Sequence, residues 1–111
     1  MKILKIKELG IEVTPIKEYL GKYKDIKAPK GFKLIEIWQL AYILESKYCN
    51  KFLGDFKDKW NWFWCSQTKY AKKNGYACRV FRDWGGYWNA LWDRFGSSDV
   101  NGRVVFVRRL K

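Results

Sequence analysis

Histidine is missing from all 111 residues, and no other gap in the composition removes as much chemistry. Without it a Ser-His-Asp or Cys-His arrangement cannot be assembled, and Cys65 or Cys78 as a nucleophile would lack its usual base. A zinc site would have to take its third and fourth ligands from carboxylates, so no metal and no other cofactor is expected. Carboxylates are themselves scarce late in the chain. After Trp60 only Asp83, Asp93 and Asp99 remain, and nothing beside them supports acid–base catalysis. Gly85-Gly86 has neither the G-x-G-x-x-G spacing nor a following Lys-Ser/Thr pair, so no phosphate loop is present. The expectation is a protein that is not an enzyme.

Proline occurs only at Pro15 and Pro29, and cysteine only at Cys49, Cys65 and Cys78. Three cysteines fit no metal spacing and leave an odd thiol. Reduced thiols are expected, with one disulfide left open as the alternative. No apolar run approaches membrane-spanning length, and the opening MKILKIKELG carries charges throughout, unlike a secretory signal. The expectation is a soluble chain with no membrane span. Presentation on a cell or virion surface would then need a partner or a non-standard export route.

What the chain does have is charge of one sign and aromatic rings. Net charge is +12, and 19% of the residues are aromatic. Such a balance attracts polyanions at long range. The lysines other than Lys111, however, are spread from Lys2 to Lys73 among Glu and Asp, as on a solvated surface, and every Arg lies at or after Arg79. Arg79, Arg82 and Arg94 interleave with Tyr76, Phe81, Tyr87 and Phe95, a pattern that would suit stacking on single-stranded nucleic acid. No aromatic RNA-binding signature or GXXG loop accompanies it, so a nucleic-acid-binding module ranks as an alternative. Arg108-Arg109 reads as a surface pair or as a partner for buried carboxylates.

At this length one domain, residues 1–111, is expected. Residues 2–8 (KILKIKE) read as a short strand. Thr14-Pro15 has the character of a helix start, with IKEYLGKYK as the helix. LIEIWQLAYILESKYCNKFL reads as a second helix with Ile37, Leu40, Ala41 and Leu44 in one apolar stripe. Past Gly54 the period changes to two: WNWFWC (Trp60 to Cys65) and YACRVF read as strands separated by the Asn-Gly turn signal in KKNG. YWNALW reads as a further short strand or irregular segment, GSSDVNG as a loop, and RVVFVRRL as a closing strand. This order gives an α+β fold, two helices packed on a small twisted antiparallel sheet with the N- and C-terminal strands near each other.

Gly31 to Leu44 (GFKLIEIWQLAYIL) resembles the GWRLPTxxELxxL helix entry of microbial C-type lectin-like domains. WFWCSQT with the terminal VVFVRRL resembles strands of the same group. RVFRDWGGYWNALWDRFGSSDVNGRVVFVR is similar to the R-x-x-x-GG-x-W…G-x-R ending of variable proteins of diversity-generating retroelements, of archaeal or viral type. The resemblance runs from Gly31 to the end of the chain. It implies a C-type lectin-like fold whose diversified ligand-binding portion spans about residues 60–101. Calcium-dependent sugar binding is not expected, because no Glu-Pro-Asn loop occurs and Trp88-Asn89 is followed by Ala90.

Variable positions in that family arise by adenine-directed mutagenesis of AAC-like codons, which never yields Trp. In WGGYWNALWDRF the residues Tyr87, Asn89, Leu91, Asp93 and Phe95 are reachable from such codons, whereas Trp88 and Trp92 are not. In WNWFWC the reachable Asn61, Phe63 and Cys65 alternate with Trp60, Trp62 and Trp64. Side chains of a strand point alternately to opposite faces. The resemblance therefore implies a scaffold of Trp60, Trp62, Trp64, Trp84, Trp88 and Trp92. Its contact face would carry Asn61, Phe63, Tyr76, Asp83, Tyr87, Asn89, Leu91, Asp93, Phe95, Ser98 and Asp99, with Cys65, Cys78 and Phe81 less firmly placed. The expected partner of this monomer is a protein or glycoconjugate, as on another cell or a virus. A non-diversified lectin-like adhesin or accessory domain is the other alternative.

Overall fold

The computed structural model describes residues 2–56, 62–82, 88–94 and 102–110; for Arg82 and residues 91–94 the description is of the backbone. In chain order the strands are β1 (Leu4–Ile6), β2 (Ile11–Val13), β3 (Lys17–Glu18), β4 (Lys33–Leu34), β5 (Trp62–Cys65), β6 (Tyr76–Arg82), β7 (Trp88–Arg94), β8 (Gly102–Val104) and β9 (Phe106–Arg109). The helices are α1 (Ile37–Leu44), α2 (Cys49–Leu53) and α3 (Lys69–Asn74). The strands form two sheets, ordered β1-β2-β9-β4 and β3-β8-β5-β6-β7. Among the described pairings only β5 with β8 is parallel.

The α+β class holds, but the expected two helices on one sheet become, among the described residues, three α-helices and two sheets. The terminal strands do come together, with β2 between β1 and β9. RVVFVRRL is not one closing strand. It passes from the second sheet to the first at Val105, which is fully buried and lies between β8 and β9.

The expected helix after Thr14-Pro15 does not form. The Thr14 hydroxyl that would cap it instead accepts from Phe106 N at 2.9 Å, while Thr14 N donates to Phe106 O at 2.9 Å. Tyr19 N donates to Gly102 O. These bonds hold the segment extended so that Tyr19, Tyr23 and Ile26 can cover the second sheet. Burying those rings outweighs a modest helix propensity.

The second expected helix is real but broken. Glu36 and Gln39 form a reciprocal capping box at its start, which satisfies free N–H groups of the first turn. Ser46 interrupts it: its hydroxyl donates to Ile43 O at 2.7 Å and accepts from Tyr48 N at 3.1 Å, so it competes with the helical ladder. The buried stripe of α1 is Leu40, Ile43 and Leu44, while Ala41 faces solvent. The Tyr42 and Tyr48 hydroxyls both donate to the Glu8 carboxylate, at 3.2 and 2.7 Å, tying the helices to the turn after β1. Tyr48's hydrogen bond is the main reason the Glu8 carboxyl sits below its ordinary range.

KKNG is a helix end rather than a hairpin turn. Thr68 Oγ1 accepts from Ala71 N at 3.1 Å to start α3. Gly75, at φ +74°, closes it in the left-handed conformation that glycine adopts without penalty.

The main core fills the space between the two sheets and α1–α2, with Ile6, Val13, Leu40, Ile43, Phe63 and Val105 at its centre. A second cluster of Tyr23, Trp64, Ala77, Val104 and Phe106 lies on the opposite side of the five-stranded sheet. Residues of the 19–34 segment roof that cluster, so one part of this sheet is buried on both faces.

A candidate ligand-binding face

Register across β5, β6 and β7 sorts the aromatic residues onto two faces. Cys65 lies opposite Cys78 and Phe63 opposite Val80. All four are buried in the main core, which makes this the inner face. Trp64 lies opposite Arg79 and Trp62 opposite Phe81, which defines the outer face. Phe81 in turn lies opposite Asn89.

Phe63 therefore corrects the sequence reading. It is wholly buried, with its ring centroid 5.9 Å from that of Phe52 and 6.0 Å from that of Trp88. It cannot touch a ligand. Cys65 and Cys78 are inward too, as free thiols, and burial pushes the Cys65 thiol upward, which keeps it protonated and inert. The alternation in WNWFWC is genuine, but its parity is opposite to the one expected. Trp62 and Trp64 lie on the outer face, and Phe63 and Cys65 belong to the core.

On β7 the parity agrees with expectation where side chains are described. Trp88 is half-buried and packs on the main core, while Asn89 is exposed on the outer side. The backbone register sets Leu91 opposite Arg79, Asp93 opposite Ala77 and Trp92 opposite Cys78. Since β7 is an edge strand, Ala90 is exposed as well. Tyr76 is 40% exposed but shares the inner side with Cys78 and Val80, at the α3 end of its strand. The fold does not bring it together with Asn89. The remaining expected contact residues, Asn61, Asp83, Tyr87, Phe95, Ser98 and Asp99, lie outside the described residues, as do Trp60 and Trp84.

The outer face carries a ladder that sequence reading missed. The Phe81 ring stacks on Trp62 at 4.7 Å with 22° between planes. On the other side of Trp62 the Arg79 guanidinium carbon lies 3.9 Å from the ring centroid, and it lies 5.5 Å from that of Trp64. Trp64 then meets Tyr23 at 5.4 Å. Each step is a ring–ring or cation–π contact. Tyr23 anchors the end by donating to Cys65 O at 2.9 Å, and burial pushes its phenol above the ordinary tyrosine range. Both faces of Trp62 are thus occupied, and it offers an incoming base or sugar its edge rather than a stacking platform.

The clue in the sequence was Arg79. A charged residue between Cys78 and Val80 must point away from the core. Counting parity from it assigns Phe81 to the outer side and, through the pairing, Phe63 to the inner.

Two other arginines are structural. Arg103 is buried, donates from Nη1 to Gly102 O at 3.0 Å, and lies 3.9 Å from the exposed Glu18 carboxylate. Arg108 Nε donates to the buried Glu12 carboxylate at 2.6 Å, so one member of the Arg108-Arg109 pair neutralises a buried acid. No group of three or more Cys, Asp or Glu side chains among the described residues is placed to hold a metal. Nor is any helix among them long and apolar enough to cross a membrane. No protein-family model, curated protein or solved structure matches this chain.

Proposed function

We propose that this chain is a ligand-binding protein, receptor- or adhesin-like, built on a C-type lectin-like fold and diversified by a retroelement. Its binding surface is the outer side of β6 and β7 together with the segments that follow each strand. The observation that carries this reading is the division along β7, where Trp88 packs on the core and Asn89, opposite Phe81, is exposed on the outer side. The outward positions of β7 can then change while the Trp residues keep the sheet in place. The Phe81–Trp62–Arg79–Trp64 ladder lies on the same face and holds its own side chains in place beside such a surface, which lowers the ordering cost of binding. Tyr, Phe, Asn, Asp and Ser, the residue types at the proposed contact positions, provide large rigid contact area and adaptable hydrogen bonds.

The partner is a protein or glycoconjugate on another cell or a virus, bound by the monomer without a metal or cofactor. Nucleic acid fits the net charge of +12 but finds no free stacking face on Trp62.

Screening the purified chain against arrays of cell-surface proteins and glycans tests the proposal. Asn89→Arg should weaken a captured partner about tenfold or more, with the melting temperature unchanged. Capture that is indifferent to Asn89, or binding only to single-stranded nucleic acid that falls steeply with salt, would refute it.

A further inference from the structure

The roof over the second cluster borders an open groove of about 360 Å³ between the 23–34 segment, Ser66-Gln67 and β9, within the size range of small-molecule sites. Its walls are aromatic and aliphatic: the rings of Tyr23, Phe32 and Phe106, with Ile26 and Leu34. Its charge has one sign. Lys24 and Lys33 line it, both exposed, and no carboxylate does. Among the described residues neither lysine forms an ion pair, and Glu12, on β2 beyond β9, is taken by Arg108. The Arg108 guanidinium, neutralised by Glu12, lies 4.6 Å from the Phe32 ring centroid and holds that wall in place. Ser66 and Gln67 supply hydroxyl and amide groups at the opposite side.

We propose that this groove binds a small organic anion, a flat aromatic body carrying a single carboxylate. The body lies among Tyr23, Phe32 and Phe106, and the carboxylate is held at the mouth by Lys24 and Lys33. Aromatic walls suit a planar ring over a flexible acyl chain, because offset and edge-to-face contacts add to simple burial. Two ammonium groups beside an apolar wall favour a charged end over a neutral one. The site is separate from the β7 surface, so it stands or falls independently of the proposed receptor role.

The test is a titration of the full chain with indole-3-acetate and with its neutral amide, followed by amide and side-chain NMR shifts. Saturable binding of the acid is expected, with shifts centred on Ser66, Gln67 and Phe32, and the amide should bind about tenfold more weakly. The double variant Lys24→Glu, Lys33→Glu alters only exposed side chains. It should keep the melting temperature and weaken the acid about tenfold or more. Equal binding of acid and amide, shifts centred elsewhere, an indifferent double variant or no saturable binding of the acid would each overturn the assignment.

Discussion

Phe63 and Asn89 occupy the two faces of one sheet, and their substitutions should separate accordingly. Phe63→Ala leaves a void beside Phe52 and Trp88 and is expected to cost about 3–5 kcal/mol in denaturant unfolding. Asn89→Ala removes an exposed side chain and should cost well below what Phe63→Ala does. The same contrast carries into a diversified population, where Phe63 should be as constant as any Trp. Tyr23 gives a pH signature. Its phenol is raised in the folded state by burial, so the folded protein holds that proton after the unfolded chain has lost it. The resulting stability is complete below about pH 10, the ordinary tyrosine value. It is lost as pH rises beyond that point toward the folded value. Tyr23→Phe should lower stability at neutral pH through the lost hydrogen bond to Cys65 O and flatten the alkaline decline. An equally steep decline above pH 10 would deny Tyr23 that role.

Among the elements, α3 depends on two identifiable residues. Thr68→Ala removes the N-cap and should cost about 1 kcal/mol. Gly75→Ala forces an L side chain into positive φ and should cost about 1 kcal/mol or more. Thermal unfolding of both variants checks the claim. A Gly75→Ala protein as stable as the parent would argue that the chain is not left-handed there.

This element also shows where sequence reading succeeded and failed. The apolar stripe of α1 and the strands β5, β6 and β7 were legible because periodicity is a local property. The Asn-Gly signal marked a real reversal, but a left-handed glycine serves a helix end as readily as a hairpin. The segment after Thr14 misled because its capping hydroxyl is used by Phe106, a residue 92 positions away. Parity over Trp62–Cys65 could not be assigned from those residues alone, since Trp62 and Trp64 on one side and Phe63 and Cys65 on the other are all apolar and all at least partly covered. It required the neighbouring strand, where Arg79 fixes which side is out.

At the scale of the whole molecule, two features share the outer face of the five-stranded sheet. The five-stranded sheet is roofed over Trp64 and Ala77 by residues of the 19–34 segment, and it carries exposed Asn89 on the same face at its β7 edge. The roof borders the lysine-lined groove, and the β7 edge supplies the proposed receptor surface. With a net charge of +12, weak and salt-sensitive association with many polyanions is expected. Specific recognition should instead depend on the side chains at the edge and persist at higher salt.

Sequencing the segment that encodes residues 60–101 from many members of the source population tests the central claim most directly. Changes should concentrate at Tyr87, Asn89, Leu91, Asp93 and Phe95 and at the other proposed contact positions, while Phe63 and every Trp stay fixed. Uniform sequences, or changes scattered evenly across core and surface, would contradict a diversified binding face.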